Sequence, residues 1–266
     1  MSESLKKLPV VRNLMSVARS GMRRVERASD YARSLTGGRL PEHRFVVFAQ
    51  GRTGSTLLAS LLSAHPQVFC DREILSTTAL FPRRVIHGRA LRHAGSAYGF
   101  KLKVYHLTLR QKLADPRPFV ERLHGEGWRI IYLYRANLLR QVVSLRVADR
   151  RATYHLRKGE AGPDLSGLTV DCRKLIGDMG WRKDRLAEEE RVLEGLEHLT
   201  LNYEADLVDG ARHQDTLDRA FDFLGVPHAR VNTEHRRITP PALSDFIANY
   251  DEVAEAVTRA GYGHFL

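Results

Sequence analysis

From residue 44 onward, short apolar runs alternate with amphipathic helical patterns. Runs rich in β-branched and aromatic residues predict strands at Phe45–Ala49, Val68–Cys70, Gly99–Val104, Arg129–Leu133 and Leu199–Asn202. Helical spacing of apolar residues predicts helices at Ser55–Ala64, Phe119–His124, Leu138–Arg150, Val170–Leu196 and Thr216–Leu224. Strands that alternate with helices are typical of a parallel sheet with both faces covered. The sequence therefore predicts an α/β fold in three layers, with a central, mainly parallel sheet flanked by helices.

The first 42 residues differ from the rest of the chain. Apolar residues recur at helical spacing among arginines from Leu5 to Ala28, and the pattern stops before Gly37-Gly38. Such a helix either packs on its own domain or lies on an anionic lipid surface, and we favour packing. We therefore divide the chain into a basic N-terminal helical arm at 1–42 and one domain at 43–266.

Two polar segments, Pro82–Tyr98 and Thr153–Leu168, are long for connections between elements. Long connections in compact domains are commonly functional. We predict that both are loops or lids that face the substrate.

The composition of the chain indicates which partners and which cellular compartment to expect. The chain has 42 Lys and Arg against 31 Asp and Glu, a balance that favours anionic partners without choosing among nucleic acid, phospholipid and a small anion. Its two cysteines, Cys70 and Cys172, can form neither a disulfide framework nor a four-ligand zinc site, so we expect a reducing compartment. The sequence contains no apolar run long enough for a membrane span or a secretory signal. We expect a cytoplasmic protein, with peripheral membrane contact through the arm as the alternative.

The most informative segment joins the first strand to the first helix of the domain. After Phe45-Val46-Val47-Phe48, the chain continues as Ala49-Gln50-Gly51-Arg52-Thr53-Gly54-Ser55-Thr56 and then as an apolar helix pattern. The first turn of a helix leaves backbone N–H groups without partners, and together with the helix dipole they bind oxyanions. The loop therefore predicts a P-loop-like phosphate site.

The loop departs from the P-loop of ATP-dependent enzymes, G-x-x-x-x-G-K-[ST]. Ser55 stands where that motif has its lysine, and Ala49 replaces the first glycine, while Thr56 keeps the final hydroxyl. Arg52 instead offers a charge from inside the loop. These differences favour a phosphate-sized anion over a magnesium nucleoside triphosphate.

The stretch from Phe45 to Glu73, which includes Ala64-His65-Pro66 and Cys70-Asp71-Arg72-Glu73, resembles the 5′-phosphosulfate loop of sulfotransferases. It is most similar to bacterial carbohydrate sulfotransferases related to the trehalose-sulfating enzyme. The resemblance implies that the chain uses 3′-phosphoadenosine 5′-phosphosulfate (PAPS) as co-substrate, without a metal. It also implies that the phosphosulfate is held by Arg52, Thr53, Gly54, Ser55 and Thr56.

A second stretch, Ile130-Ile-Tyr-Leu-Tyr-Arg135 followed by a helix that carries Ser144, resembles the 3′-phosphate motif of the same family. A guanidinium at a strand end can clamp a phosphate while a hydroxyl donates to another oxygen. The spacing of nine residues is one longer than in the cytosolic branch. By position in the family pattern, Arg237 is a further candidate for this phosphate.

In-line sulfuryl transfer needs a base that takes the proton of the acceptor hydroxyl. Glu73 follows the second strand, and the resemblance implies that it is the base. The residues alone favour a carboxylate at a helix start or a salt bridge to Arg72 or Arg83. His106, after the third strand, resembles the histidine base of cytosolic sulfotransferases and is our second choice. The candidate catalytic residues are therefore Glu73, Arg52 and His106.

The resemblance implies a hydroxylated acceptor, a carbohydrate or glycolipid. Two other functions stay open at this stage, a P-loop kinase-like enzyme and a basic nucleic-acid-binding protein. The missing lysine disfavours the first, and the absence of any reader motif disfavours the second, so we expect no nucleic-acid partner. The sequence does not indicate an oligomeric state.

Overall fold

The computed structural model describes residues 9–151, 156–157, 167–231, 235–236 and 242–266. Its strands are β1 (Arg44–Ala49), β2 (Val68–Asp71), β3 (Ala97–Leu102), β4 (Trp128–Tyr134), β5 (Leu156–Arg157), β6 (His198–Asn202) and β7 (His235–Arg236). Five of them form one sheet in the order β2-β3-β1-β4-β6, and every neighbouring pair is parallel. The predicted three-layer α/β fold with a parallel central sheet is therefore confirmed.

The eight α-helices in the described ranges connect these strands and cover them. They are α1 (Pro9–Leu35), α2 (Ser55–Leu62), α3 (Pro82–Ala90), α4 (Arg117–Gly125), α5 (Leu138–Arg151), α6 (Cys172–Leu193), α7 (His213–Leu224) and α8 (Tyr250–Arg259). None of the helices in this part of the chain is long and apolar enough to cross a membrane.

Side chains of β1 alternate between two apolar clusters on opposite faces of the sheet. Val46 and Phe48 pack with residues of α3, α4 and the end of α6. Phe45, Val47 and Ala49 pack with residues of α2 and α7. A strand buried on both faces needs a continuous apolar run, which is why Phe45-Val46-Val47-Phe48 predicted the central strand.

A third apolar cluster joins α5, the first half of α6 and α8 beside the sheet. The strands β5 and β7 pair antiparallel and bring residues 156–157 against residues 235–236. A parallel bridge joins Leu168 to Ile247. The last third of the chain is thus tied to α5 and α6, next to the carboxyl end of β4.

The segment Pro82–Tyr98 is not a loop, so this prediction was wrong. It forms α3, a 3-10 turn at Leu91–His93 and the beginning of β3. Proline suits the first turn of a helix, and burial of Val85 and Ile86 in the core stabilises the rest. Of the other predicted loop, Thr153–Leu168, all but residues 156, 157, 167 and 168 lie outside the described residues.

The C-terminal part of α1 packs against α3. Asp30 of α1 is fully buried, and its carboxylate pairs with Arg89 and with Arg92 at 2.7 Å each. Gly88 allows the close crossing, because a Cβ atom there would collide with the backbone of Asp30. This end of the arm therefore packs on the domain, as the favoured alternative expected.

Candidate active site

The loop after β1 has a backbone that few residue types adopt. Arg52 has a φ angle of 70° and Gly54 one of 87°, and both lie in the left-handed region that favours glycine. At Gly54 a Cβ atom would also collide with the ring of Tyr203. Helix α2 begins at the next residue, Ser55. The loop thus delivers the N–H groups of the first turn of α2 to the carboxyl edge of the sheet, where open α/β folds bind ligands.

The loop is fixed from within and from two helices. The hydroxyl of Thr53 donates to the carbonyl of Gln50 at 2.9 Å. The carbonyl of Gly51 accepts from Nε2 of Gln141 in α5 at 2.9 Å and from Nη1 of Arg182 in α6 at 3.0 Å. Thr53 is almost fully buried, so its side chain serves the shape of the loop, and its backbone N–H is the group left for a ligand.

A buried polar network lies behind the loop. Nε2 of Gln50 donates to the carbonyl of Arg182 at 3.2 Å and to Oε2 of Glu189 at 3.3 Å. Tyr132 donates its hydroxyl to the same carboxyl oxygen at 3.4 Å. Burial of Glu189 raises its pKa to about 8. Burial thus favours the neutral form of this carboxyl, and the network ties the loop to α6.

The two sequence motifs meet in space. Arg52, inside the loop, donates from Nε at 3.1 Å and from Nη2 at 3.0 Å to the hydroxyl of Ser144 in α5. Arg135, directly after β4, donates from Nη1 to the carbonyl of Arg52 at 3.3 Å. Two guanidinium groups and one hydroxyl thus share one corner of the site.

Arg135 is held in a defined direction by its neighbours. Its guanidinium lies 4.6 Å from the centre of the Tyr203 ring and 3.3 Å from Oε1 of Glu204. The carboxylate of Glu204 also accepts the backbone N–H of Ala136 at 3.0 Å. The ring of Tyr203 lies against both Gly54 and Arg135. It therefore sets the distance between the loop and the end of β4.

Glu73, two residues after β2, lies beside two lysines. Its Oε1 is 3.4 Å from Nζ of Lys101 and 3.3 Å from Nζ of Lys103. Lys101 also donates to the hydroxyl of Thr56 at 3.1 Å, so one lysine side chain connects Glu73 to the loop. Burial raises the pKa of Glu73, but the two ammonium groups outweigh burial and lower the pKa to about 2.

His106 lies close to this group and is buried. Burial, helped by the charge of Lys103, lowers its pKa to about 4, so the imidazole is neutral at neutral pH. Its Nδ1 has no hydrogen-bond partner among the described residues. A neutral imidazole can accept a proton. His106 also interacts electrostatically with Glu73, Lys101 and Lys103, so both candidate bases belong to the same charged group.

The site therefore brings together seven of the eight residues proposed for nucleotide binding and both candidate bases. Arg237 lies outside the described residues. Five further residues of the site were not predicted from the sequence, namely Gln141, Arg182, Glu189, Lys101 and Lys103. Of these residues, only the lysines could have been recognised from the sequence, because two lysines at alternate positions at the end of a buried strand are unusual. In the described part of the chain, no group of three or more His, Cys, Asp or Glu side chains is placed to hold a metal ion.

Comparison with known proteins found solved structures with a similar fold. No protein-family model and no curated protein matches the sequence. A sulfotransferase from Alicyclobacillus acidocaldarius superposes with a TM-score of 0.47 and 13% identity, over 85% of this chain and 97% of that one. Mouse sulfotransferase SULT7A1 complexed with PAP superposes with a TM-score of 0.46 and 12% identity, over 90% of this chain and 92% of that one. Values this low say nothing about the activity of this chain.

Proposed function

We propose that this chain is a sulfotransferase that moves a sulfuryl group from PAPS to a hydroxyl of a carbohydrate or glycolipid. The observation that supports it best is the contact of Arg52 with Ser144. That contact joins the loop before α2 to α5, and Arg135 donates to the carbonyl of Arg52 in the same loop. The N-terminus of α2 and the guanidinium of Arg135 would then form two neighbouring sites for phosphate. A nucleotide with phosphate on both its 5′ and 3′ oxygens carries two anionic groups at one end of the molecule, and it matches such a pair.

In the proposed reaction, the donor lies with its phosphosulfate on the N–H groups of Gly54, Ser55 and Thr56. The acceptor oxygen attacks sulfur, the bond between sulfur and the bridging oxygen breaks, and that oxygen leaves with the electron pair as adenosine 3′,5′-bisphosphate. Backbone N–H groups, Arg52 and Lys101 stabilise the charge on the leaving phosphate. Glu73 takes the proton of the acceptor hydroxyl.

Because two lysines stabilise its carboxylate, the pKa of Glu73 should depend on whether the donor is bound. Without an anion in the loop, Lys101 and Lys103 keep the carboxylate ionised. A bound phosphosulfate competes for the same ammonium groups, because it carries more negative charge than one carboxylate. Glu73 then loses part of this stabilisation, its pKa rises, and it becomes a stronger base once the donor is in place.

Lys101 also favours one alternative. Its ammonium group lies at the hydroxyl of Thr56 and could replace the lysine that the loop lacks at Ser55. That position would suit a kinase-like enzyme that uses magnesium ATP. The two functions differ in the nucleotide that they bind.

Calorimetric titration separates them. We expect the wild-type chain to bind adenosine 3′,5′-bisphosphate and not magnesium ATP, and Arg135→Ala to lose bisphosphate binding. Arg173→Ala is the matched control, because Arg173 is exposed at the start of α6. Tight binding of magnesium ATP without bisphosphate binding would overturn the proposal, and salt-sensitive DNA binding alone would indicate the nucleic-acid alternative.

A further inference from the structure

A cavity of about 190 Å³ lies between the C-terminal part of α1 and the segment that follows β2. Glu73 and Ser76 line it on the side of the domain, and Glu26 and Arg27 line it on the side of α1. Glu73 is therefore shared between this cavity and the lysines that reach the loop. A molecule in the cavity would therefore lie beside the carboxylate that we propose as the base.

We infer that this cavity is the acceptor site, that α1 forms one of its walls, and that its ligand is a small neutral polyhydroxylated molecule. The inference rests on the proposed function and adds the position of the acceptor, the residues that contact it and its charge. It also assigns the N-terminal arm a direct part in binding.

The wall formed by α1 is tied to the opposite wall. Arg27 donates to the hydroxyl of Thr77 at 2.8 Å, to the carbonyl of Thr77 at 3.3 Å and to the carbonyl of Ile74 at 3.4 Å, and it also contacts the carbonyl of Thr78. Glu26 pairs with Arg72 at 2.5 Å and with Arg89 at 2.8 Å. These bonds cross the cavity edge from both sides, so its shape depends on α1 remaining packed.

The charged side chains that line the cavity already have partners. Glu26 pairs with Arg72 and Arg89, Asp30 with Arg89 and Arg92, and Glu73 with Lys101 and Lys103. Arg27 donates to Thr77 and to the carbonyls of Ile74 and Thr78. A charged ligand would have to displace one of these existing partners. A neutral ligand that can both donate and accept hydrogen bonds can bind without displacing them.

The volume and the polarity of the cavity also favour a small polyhydroxylated ligand. Among the described residues that line the cavity, none is aromatic, and the aliphatic side chains are those of Ile74 and Val85. Phenols and steroids bind in pockets that are mainly apolar. The volume is smaller than the roughly 300–1,000 Å³ of sites for drug-sized ligands, which suits a ligand of about one sugar ring.

The experiment uses the full chain saturated with adenosine 3′,5′-bisphosphate. Saturation-transfer NMR tests binding of methyl α-glucoside and myo-inositol as neutral polyols, glucuronate as an anion and 4-nitrophenol as an aromatic alcohol. Mass spectrometry after incubation with PAPS tests whether each compound gains one SO₃ group. Ser76→Phe fills the cavity, Arg27→Ala removes a wall contact, and Arg33→Ala on the exposed part of α1 is the matched control.

We expect a neutral polyol to bind and to be sulfated. Ser76→Phe and Arg27→Ala should weaken its binding by about tenfold or more, with bisphosphate affinity and the Arg33→Ala variant unchanged. Polyol binding that survives Ser76→Phe would place the acceptor elsewhere, and a preference for glucuronate or 4-nitrophenol, or no polyol binding at all, would overturn the ligand class. Each of these results leaves sulfuryl transfer from PAPS standing, although a preference for 4-nitrophenol would also overturn the carbohydrate acceptor of the proposed function. Failure of the wild-type chain to bind the bisphosphate would overturn both proposals.

Discussion

Arg52 and Ser144, which are 92 positions apart, are joined by two hydrogen bonds to one hydroxyl oxygen. The contact brings the loop after β1 and the first half of α5 together in the corner that we propose as the phosphate site. Ser144 accepts both bonds, and its own proton is then available to a phosphate oxygen. The pair therefore orients Arg52 while keeping one donor for the ligand.

Ser144→Ala should weaken binding of adenosine 3′,5′-bisphosphate by about tenfold, equivalent to about 1.4 kcal/mol. The variant loses one donor to phosphate and releases Arg52 from its orientation. Titration calorimetry measures the change. Ser96→Ala, in the turn before β3, is the control, and an unchanged dissociation constant in Ser144→Ala would exclude Ser144 from the phosphate site.

Glu73→Gln should abolish sulfuryl transfer while leaving bisphosphate affinity unchanged, because the amide cannot take a proton. His106→Gln should keep most of the activity. Transfer is followed by mass spectrometry, with Glu42→Gln as an exposed control. The opposite result, with an inactive His106→Gln and an active Glu73→Gln, would assign the base to His106.

The same assignment predicts the pH profile of kcat/KM, which reports groups of the free enzyme. The pKa of Glu73 is about 2, so the carboxylate stays ionised throughout the range from about pH 5 to pH 8. Protonation of Glu73 should therefore cause no loss of rate in this range. Lys101→Met removes one of the two stabilising charges, and we expect the acid limb of the profile to move to higher pH, with Lys183→Met as control.

Gly54→Ala should destabilise the chain by about 1–3 kcal/mol and abolish bisphosphate binding. The residue has a positive φ angle, and the new Cβ atom would meet the ring of Tyr203. Chemical denaturation and calorimetry measure the two effects. Gly177→Ala is the matched control, since a Cβ atom there has open space inside α6, and a harmless Gly54→Ala would contradict the described loop.

Glu189→Gln should flatten the dependence of stability on pH. The pKa of Glu189 rises from 4.5 to about 8 through burial, so the folded chain binds one proton that the unfolded chain releases between these values. Its free energy of unfolding therefore falls as pH increases through this window, by up to about 1.4 kcal/mol per pH unit. The neutral amide removes this dependence, and Glu190→Gln, on the exposed side of α6, should retain it.

The strands, most helices and the phosphate loop could be predicted because each is encoded locally. An apolar run with glycines after it and a helix pattern behind them needs no distant contact to be recognised. The second motif, a strand that ends before Arg135 and a helix that carries Ser144 nine positions later, could be recognised for the same reason. Local pattern thus carried most of the fold and the two anion-binding motifs.

The rest of the site depends on contacts between distant parts of the chain. Nothing in the sequence indicates that Arg182 reaches the carbonyl of Gly51 or that Lys101 reaches Thr56. Helix α3 escaped prediction because its basic residues and its glycine have weak apolar periodicity, and its stability comes from packing on the core and on α1. The positions of Arg182 and Lys101 and the formation of α3 therefore depend on tertiary contacts.

The carbonyl of Gly51 receives its two donors from α5 and α6, which belong to the third apolar cluster. An engineer who transplanted residues 45–64 alone into another parallel sheet would leave this oxygen without either partner. The graft would keep the sequence of the motif, but the loop would lose its conformation. A working chimera has to carry the C-terminal helices with it, so the sequence unit that can be exchanged is most of the domain.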